Sequence, residues 1–114
     1  MIKIKRVYES FSDQDGFRIL VDRLWPRGLS KESARIYLLT TCLAPSDVLR
    51  KWFSHDPKKW QEFKSRYQKE LNSKKDTISK LRAIEKEKKK ITLFYAAKDI
   101  EHNNAVFLQE YMKK

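Results

Sequence analysis

The chain has 114 residues and a mass of 13.7 kDa, which suits a single domain over 1–114. Its 40% hydrophobic content and its 3 Trp, 5 Tyr and 6 Phe exclude wholesale disorder, and 2 glycines and 3 prolines exclude collagen-like and Gly- or Pro-rich linker sequences. Lys and Arg outnumber Asp and Glu by 26 to 15, for a net charge of +11, and the excess is concentrated in residues 50–90, which carry fifteen basic and six acidic side chains.

That asymmetry attracts polyanions, although a run such as Lys86-Glu87-Lys88-Lys89-Lys90 also reads as a solvated helix end that complements the C-terminal dipole. No apolar stretch approaches the roughly 18 residues of a membrane span. The basic start at Lys3, Lys5 and Arg6 is followed by no apolar leader core, and the lone Cys42 can form no internal disulfide. These features predict a soluble, cytoplasmic protein with no membrane partner. Cys42 itself, in the apolar stretch Thr41-Cys42-Leu43, is expected to be a small buried hydrophobe.

In chain order, Ile2–Tyr8 alternates β-branched and basic residues and predicts a strand. Ser10–Gly16 is rich in turn formers, and Phe17–Asp22 reads as a short, fully buried strand. The connection from Tyr8 to Phe17 is too short for an ordinary helical crossover, so these two strands can be an antiparallel pair. Ser30 can cap a short helix running toward Leu39, and Pro45-Ser46-Asp47 opens another with Leu49, Trp52 and Phe53 on one face. Asp56-Pro57 combines an N-cap carboxylate with proline at the first helical position, and the stripe Trp60, Phe63, Tyr67 and Leu71 follows at helical spacing. Asp76 can cap a helix with Ile78, Leu81 and Ile84 inward. Ile91–Ala96 is a third buried strand, and Asp99 can cap a last helix carrying Phe107, Leu108 and Tyr111 or Met112. The expected architecture is therefore α/β: a small three- to four-stranded, at least partly parallel sheet packed with four to five helices.

Four segments together resemble the YeaO-like family of small bacterial proteins. They are Gly16-Phe17-Arg18-Ile19-Leu20-Val21-Asp22-Arg23-Leu24-Trp25-Pro26-Arg27-Gly28, then Lys51-Trp52-Phe53-Ser54-His55-Asp56-Pro57, then Trp60-Gln61-Glu62-Phe63 with Tyr67, and Leu93-Phe94-Tyr95-Ala96-Ala97-Lys98-Asp99 with His102-Asn103. The resemblance spans nearly the whole chain and implies a compact α/β domain. It implies no particular activity. Cys42 and the lysine-rich run at 86–90 stand outside the family pattern.

In open α/β sheets, ligands bind beyond the carboxyl ends of the strands. Two motif segments leave the sheet at such ends, 23–28 and 97–103. If the strands before them are parallel neighbours, both segments meet at one edge. Arg23 and Arg27 would then offer planar donor forks to a carboxylate or phosphate, with Trp25 as a stacking face and Gly28 allowing a tight turn. The bland alternative pairs Asp22 with an arginine and leaves Trp25 capping the core. Lys98 and Asn103 complete the ligand-binding candidates, together with Asp56, whose simplest role is the N-cap. The tentative catalytic set is His55, His102, Asp99 and Tyr95, with Asp99 orienting His102 as general acid or base. Neither HExxH nor paired cysteines occur, so no metal and no cofactor are expected.

The leading expectation is a pocket for a small anionic ligand, phosphate- or carboxylate-bearing, with hydrolysis or group transfer as the conceivable chemistry. The alternatives are a nucleic-acid surface using basic residues of 50–90, such as Lys58, Lys64, Arg66 and Lys69, or a module binding a carboxylate of a protein partner. The aromatics at 60, 63 and 67 have core spacing, so a nucleic-acid surface there would lack stacking platforms.

Overall fold

The computed structural model describes residues 1–113. Four strands form one sheet: β1 (Ile2–Arg6), β2 (Phe17–Leu20), β3 (Leu38–Leu39) and β4 (Ile91–Tyr95). Their spatial order is β1-β4-β2-β3, and every neighbouring pair is parallel. All five residues of β4 are buried, as befits a central strand covered on both faces, and its one small polar residue, Thr92, is hydrogen-bonded. The register aligns Ile4 and Ile19 with Leu93, so Ile2, Ile4, Ile19, Ile91 and Leu93 point to one face.

Against that face pack α2 (Asp47–Phe53), α3 (Trp60–Asn72), α4 (Lys75–Lys88) and α5 (Asn104–Lys113). The stripe Trp60, Phe63, Tyr67 and Leu71 is buried, and so are Ile78, Leu81, Phe107 and Leu108. The short α1 (Lys31–Ala34) belongs to the other side, where Val7, Leu20 and Phe94 gather with Leu29 and Ile36.

β1 and β2 are not an antiparallel pair. β4 lies between them, and both run parallel to it. The short connection suffices because it crosses the face opposite α2–α5, through a single 3-10 turn at Asp13–Asp15 capped by Ser12. Gly16 (φ +67°) then lets the chain pass so close to Lys90 that a Cβ would collide with its carbonyl. The Phe17 N–H donates to that same oxygen at 3.0 Å, which starts β2 beside β4.

Asp15 anchors this crossing. Its carboxylate accepts from Lys5 Nζ (3.1 and 3.2 Å), from the Ser12 N–H (3.1 Å) and from Arg18, whose guanidinium also donates to the carbonyls of Ala34 and Arg35. Thr92 Oγ1 donates to the Asp15 carbonyl at 2.6 Å. Arg18 packs over the rings of Phe94 and Phe11. Burial pushes the Arg18 guanidinium pKa down against the pull of Asp15.

Other local expectations are corrected as well. The helix from Ser30 stops at Ala34, because Arg35 adopts a left-handed C-cap (φ 50°), and the chain continues into β3 rather than on to Leu39 as helix. Asp76 lies within the first turn of α4 and Asp99 caps a turn preceding α5, so neither is the N-cap of its helix. Asp56 is a cap as expected, accepting from the Lys58 N–H at 3.0 Å ahead of the 3-10 turn Pro57–Lys59 that leads into α3. Cys42 is exposed rather than buried; Leu43 turns inward in its place, and the Cys42 carbonyl accepts from Lys74.

Candidate functional site

Past Leu20 and Tyr95 the ladder continues for one more rung, with the Val21 N–H donating to the Phe94 carbonyl at 3.1 Å. There a side chain takes over from backbone: the Ala96 N–H donates to Asp22 Oδ2 at 2.9 Å. Asn104 donates from Nδ2 to the Val21 carbonyl at 3.0 Å and lies near enough to Asp22 to favour its ionised form. The segments that trail β2 and β4 are thus tied to one another. Between them opens a recess of about 700 Å³ at the carboxyl ends of these strands.

The recess brings together Arg23, Trp25, Arg27, Lys98, Asp99, His102, Asn103 and His55 from the two motif segments and the α2–α3 turn. Gly28, Asp56 and Tyr95 do not line it. Gly28 supports the loop through a positive φ of 78°. Tyr95 is only 3% exposed, with its ring in the core beneath the site, where burial raises its phenol pKa.

The Arg-Trp-Pro-Arg loop is pinned at three places. Trp25 Nε1 donates to the Leu29 carbonyl (2.6 Å), Tyr8 Oη donates to the Arg27 carbonyl (2.8 Å), and Pro26 is buried. Trp25 is 38% exposed, so it presents a face rather than capping the core. Arg23 donates to the Pro45 carbonyl from Nε and Nη2, and shares Asp47 with Arg50. Asp22 therefore pairs with no arginine among the described residues; the Ala96 N–H holds it instead.

His55 enters through a strained turn. Ser54 (φ 48°) and His55 (φ 57°) are consecutive left-handed residues, each costing about 1 kcal/mol, after α2 ends. The turn carries His55 to the recess, near enough to Asp22 to favour its ionised form. Asp99 accepts the Glu101 and His102 N–H groups on Oδ1 (2.9 and 3.0 Å) and meets His102 Nδ1 through Oδ2 at 2.9 Å. The Glu101 N–H is the main cause holding the Asp99 carboxyl below its ordinary pKa, with His102 adding to it. The His102 ring also meets Trp60 in a T-shaped contact, with ring centroids 5.4 Å apart. Asn103 caps α5 by accepting the Val106 N–H at 3.0 Å, so the positive end of that helix dipole also faces the recess.

Sequence reasoning did not single out Arg6, Arg50, Tyr8 or Asn104 as lining residues. For Arg6 a signal was present: it follows Ile2 and Ile4 on the core-facing column of β1, a charge at the carboxyl end of an otherwise apolar row. Its Nε donates to both the Ala96 and Ala97 carbonyls (3.1 and 3.0 Å), and its guanidinium lies 4.9 Å from the Tyr8 ring centroid. No group of three or more His, Cys, Asp or Glu that could hold a metal ion occurs among the described residues.

Burial raises the Asp22 pKa; the Ala96 N–H, Asn104 and His55 offset this only in part. A carboxyl whose pKa is higher folded than unfolded holds its proton more tightly in the native state. Stability therefore falls as pH rises through the window between the ordinary and the raised value. Asp22→Asn removes that dependence. Urea titrations at several pH values should show native protein losing ground to the variant as pH rises through this window, and a constant difference would contradict the assignment.

Over residues 1–114 the sequence matches the family described as "Inactive DUF488-N3 subclade". The chain belongs to that subclade. It is 37% identical to the uncharacterized protein YeaO of Escherichia coli (strain K12) over 98% of this chain and 96% of that protein, in keeping with the YeaO-like motifs. It is also 45% identical to uncharacterized proteins of Mycobacterium tuberculosis and Mycobacterium bovis over 71 residues, which are 62% of this chain and 60% of the length of each relative. No solved structure matches it. No helix among the described residues is long and apolar enough to cross a membrane.

Proposed function

We propose that the protein binds a small anionic ligand, bearing a phosphate or carboxylate, in the recess beyond β2 and β4. One observation carries this reading: five cations line the recess, and three of them, Arg6, Arg27 and Lys98, have no carboxylate partner among the described residues. Arg23 and Arg50 are engaged by Asp47, and Arg6 is held in place by two carbonyls that leave its charge uncompensated. Cations without a carboxylate partner, one of them the pre-positioned Arg6, in a concave site with apolar walls suit an organic anion.

Binding without turnover is the form of the proposal. The subclade is described as inactive, and no serine, threonine or cysteine lines the recess among the described residues, while the one lining hydroxyl, that of Tyr8, is engaged with the Arg27 carbonyl. The nucleic-acid alternative gains no support from the buried aromatic stripe of α3, which leaves the basic surface around Lys58, Lys64, Arg66 and Lys69 without those rings as stacking platforms. Titration with phenyl phosphate tests the reading. The double variant Arg27→Ala/Lys98→Ala should weaken its binding about tenfold, with native affinity falling as salt rises. Equal affinity of native protein and double variant would overturn it.

A further inference from the structure

Beyond the anion-binding reading, on which it rests, the recess contains a group of the wrong sign for an anion site. Asp22 lies among five lining cations, yet it forms no ion pair among the described residues. A carboxylate has about four acceptor positions, and the Ala96 N–H occupies only one of them. Half-burying it without a cationic partner still carries a desolvation cost. Arg23, the residue next in sequence, turns instead to the Pro45 carbonyl and Asp47. The remaining acceptor capacity of Asp22 is thus left at the recess, which is walled by Leu24, Trp25, Phe53 and Phe63.

We infer that Asp22 is a specificity-determining residue of the recess: it accepts a hydrogen bond from an N–H or O–H group of the ligand, so the ligand class is a donor-bearing organic anion with an apolar, ring-sized body. Arg6, Arg27 and Lys98 take the anionic end, and the Trp25 face and the apolar walls take the body. A neutral donor suits the site better than an ammonium group, because the cations outnumber the carboxylates Asp22 and Asp99 along the lining. Inorganic phosphate and simple aliphatic carboxylates would leave the acceptor unused and bind weakly. A donor satisfied by a desolvated carboxylate discriminates strongly against an analogue that lacks it.

The test uses two isosteric probes, 4-aminobenzoate and 4-methylbenzoate, which differ in carrying N–H donors or a methyl group. Calorimetry on native protein should give about a tenfold preference for 4-aminobenzoate. Asp22→Asn keeps an oxygen for the Ala96 N–H but turns an NH2 group toward the recess, so the preference should vanish or invert. A native preference near one, or a preference that survives in Asp22→Asn, overturns the inference. If the variant does not fold, amide NMR of native protein decides: the Ala96 N–H and the Asn104 side-chain signals should respond to 4-aminobenzoate and not to 4-methylbenzoate, and equal responses overturn the inference. Failure of the anion-binding reading has a different signature, in which Arg27→Ala/Lys98→Ala leaves the affinity of both probes unchanged. Absence of binding by both probes overturns both readings.

Discussion

Asp15→Ala should destabilise the protein by about 3–5 kcal/mol in urea or thermal unfolding, the largest loss expected from any single polar substitution. Asp15 is 4% exposed and Arg18 is 1% exposed, so the variant strands a guanidinium in the interior with only two carbonyls to solvate it. Desolvation already depresses the Arg18 pKa with its partner in place, and losing the carboxylate removes the interaction that offsets it most. Lys5, half-buried beside the same carboxylate, loses its partner as well. The pair is costly to break yet no large net source of stability, because both charges were taken out of water to form it. Arg18→Met in the Asp15→Ala background should therefore recover most of the loss, since Phe94 and Phe11 already surround that side chain with apolar surface. A double variant as unstable as Asp15→Ala would contradict this, as would a loss below about 1 kcal/mol for Asp15→Ala.

The same ion cluster shows why the sheet was only partly legible in the sequence. Runs such as Phe17–Leu20 and Ile91–Tyr95 announce buried strands by their β-branched and aromatic content, each interrupted by one polar residue, Arg18 or Thr92, that is itself buried. What they do not announce is the order of the strands. β4 inserts between β1 and β2 through contacts far apart in sequence, and the cue for a short crossover was a single glycine facing the Lys90 carbonyl. β3 has two residues, too few for any periodicity, and its start depends on Arg35 leaving α1 through a left-handed cap that no local preference of arginine favours. Caps were misplaced at Asp76 and Asp99 for a related reason. Each carboxylate has a helix beginning nearby, but Asp76 falls inside the first turn of α4, and Asp99 closes a local turn through the Glu101 and His102 N–H groups, leaving Asn103 to cap α5.

The recess was more legible than the sheet, since one rule about strand ends places segments 23–28 and 97–103 together. Arg6 was legible only as the charge that ends the apolar Ile2 and Ile4 column, and Asn104 was hidden because it reads as an ordinary helix residue. Asp22 was noticed only as an ion-pair candidate. Its pairing with a backbone N–H across two strands depends on a register that composition does not reveal.

Phe63→Ala should cost about 3 kcal/mol, at the low end of the range for a buried phenylalanine, and its position explains why. The ring is 2% exposed, stacked on Phe53 at a centroid distance of 4.3 Å and on Trp60 at 5.5 Å, with Tyr67 beyond it. It also forms part of the recess wall. A cavity opened there communicates with the recess and fills with water, whereas a sealed apolar void stays dry and bears the full cost. Leu81→Ala, buried under α4 and away from the recess, has no such relief and should lie closer to the full cost expected of a sealed leucine cavity. The Phe63 variant should also lose affinity for phenyl phosphate without any change in the recess charges, because Trp60, which supports His102, no longer stacks on its neighbour. Chemical denaturation with and without phenyl phosphate measures both effects. A Phe63→Ala protein with native stability, or one that phenyl phosphate stabilises as much as it does the native chain, would show that the aromatic stack does not support the recess.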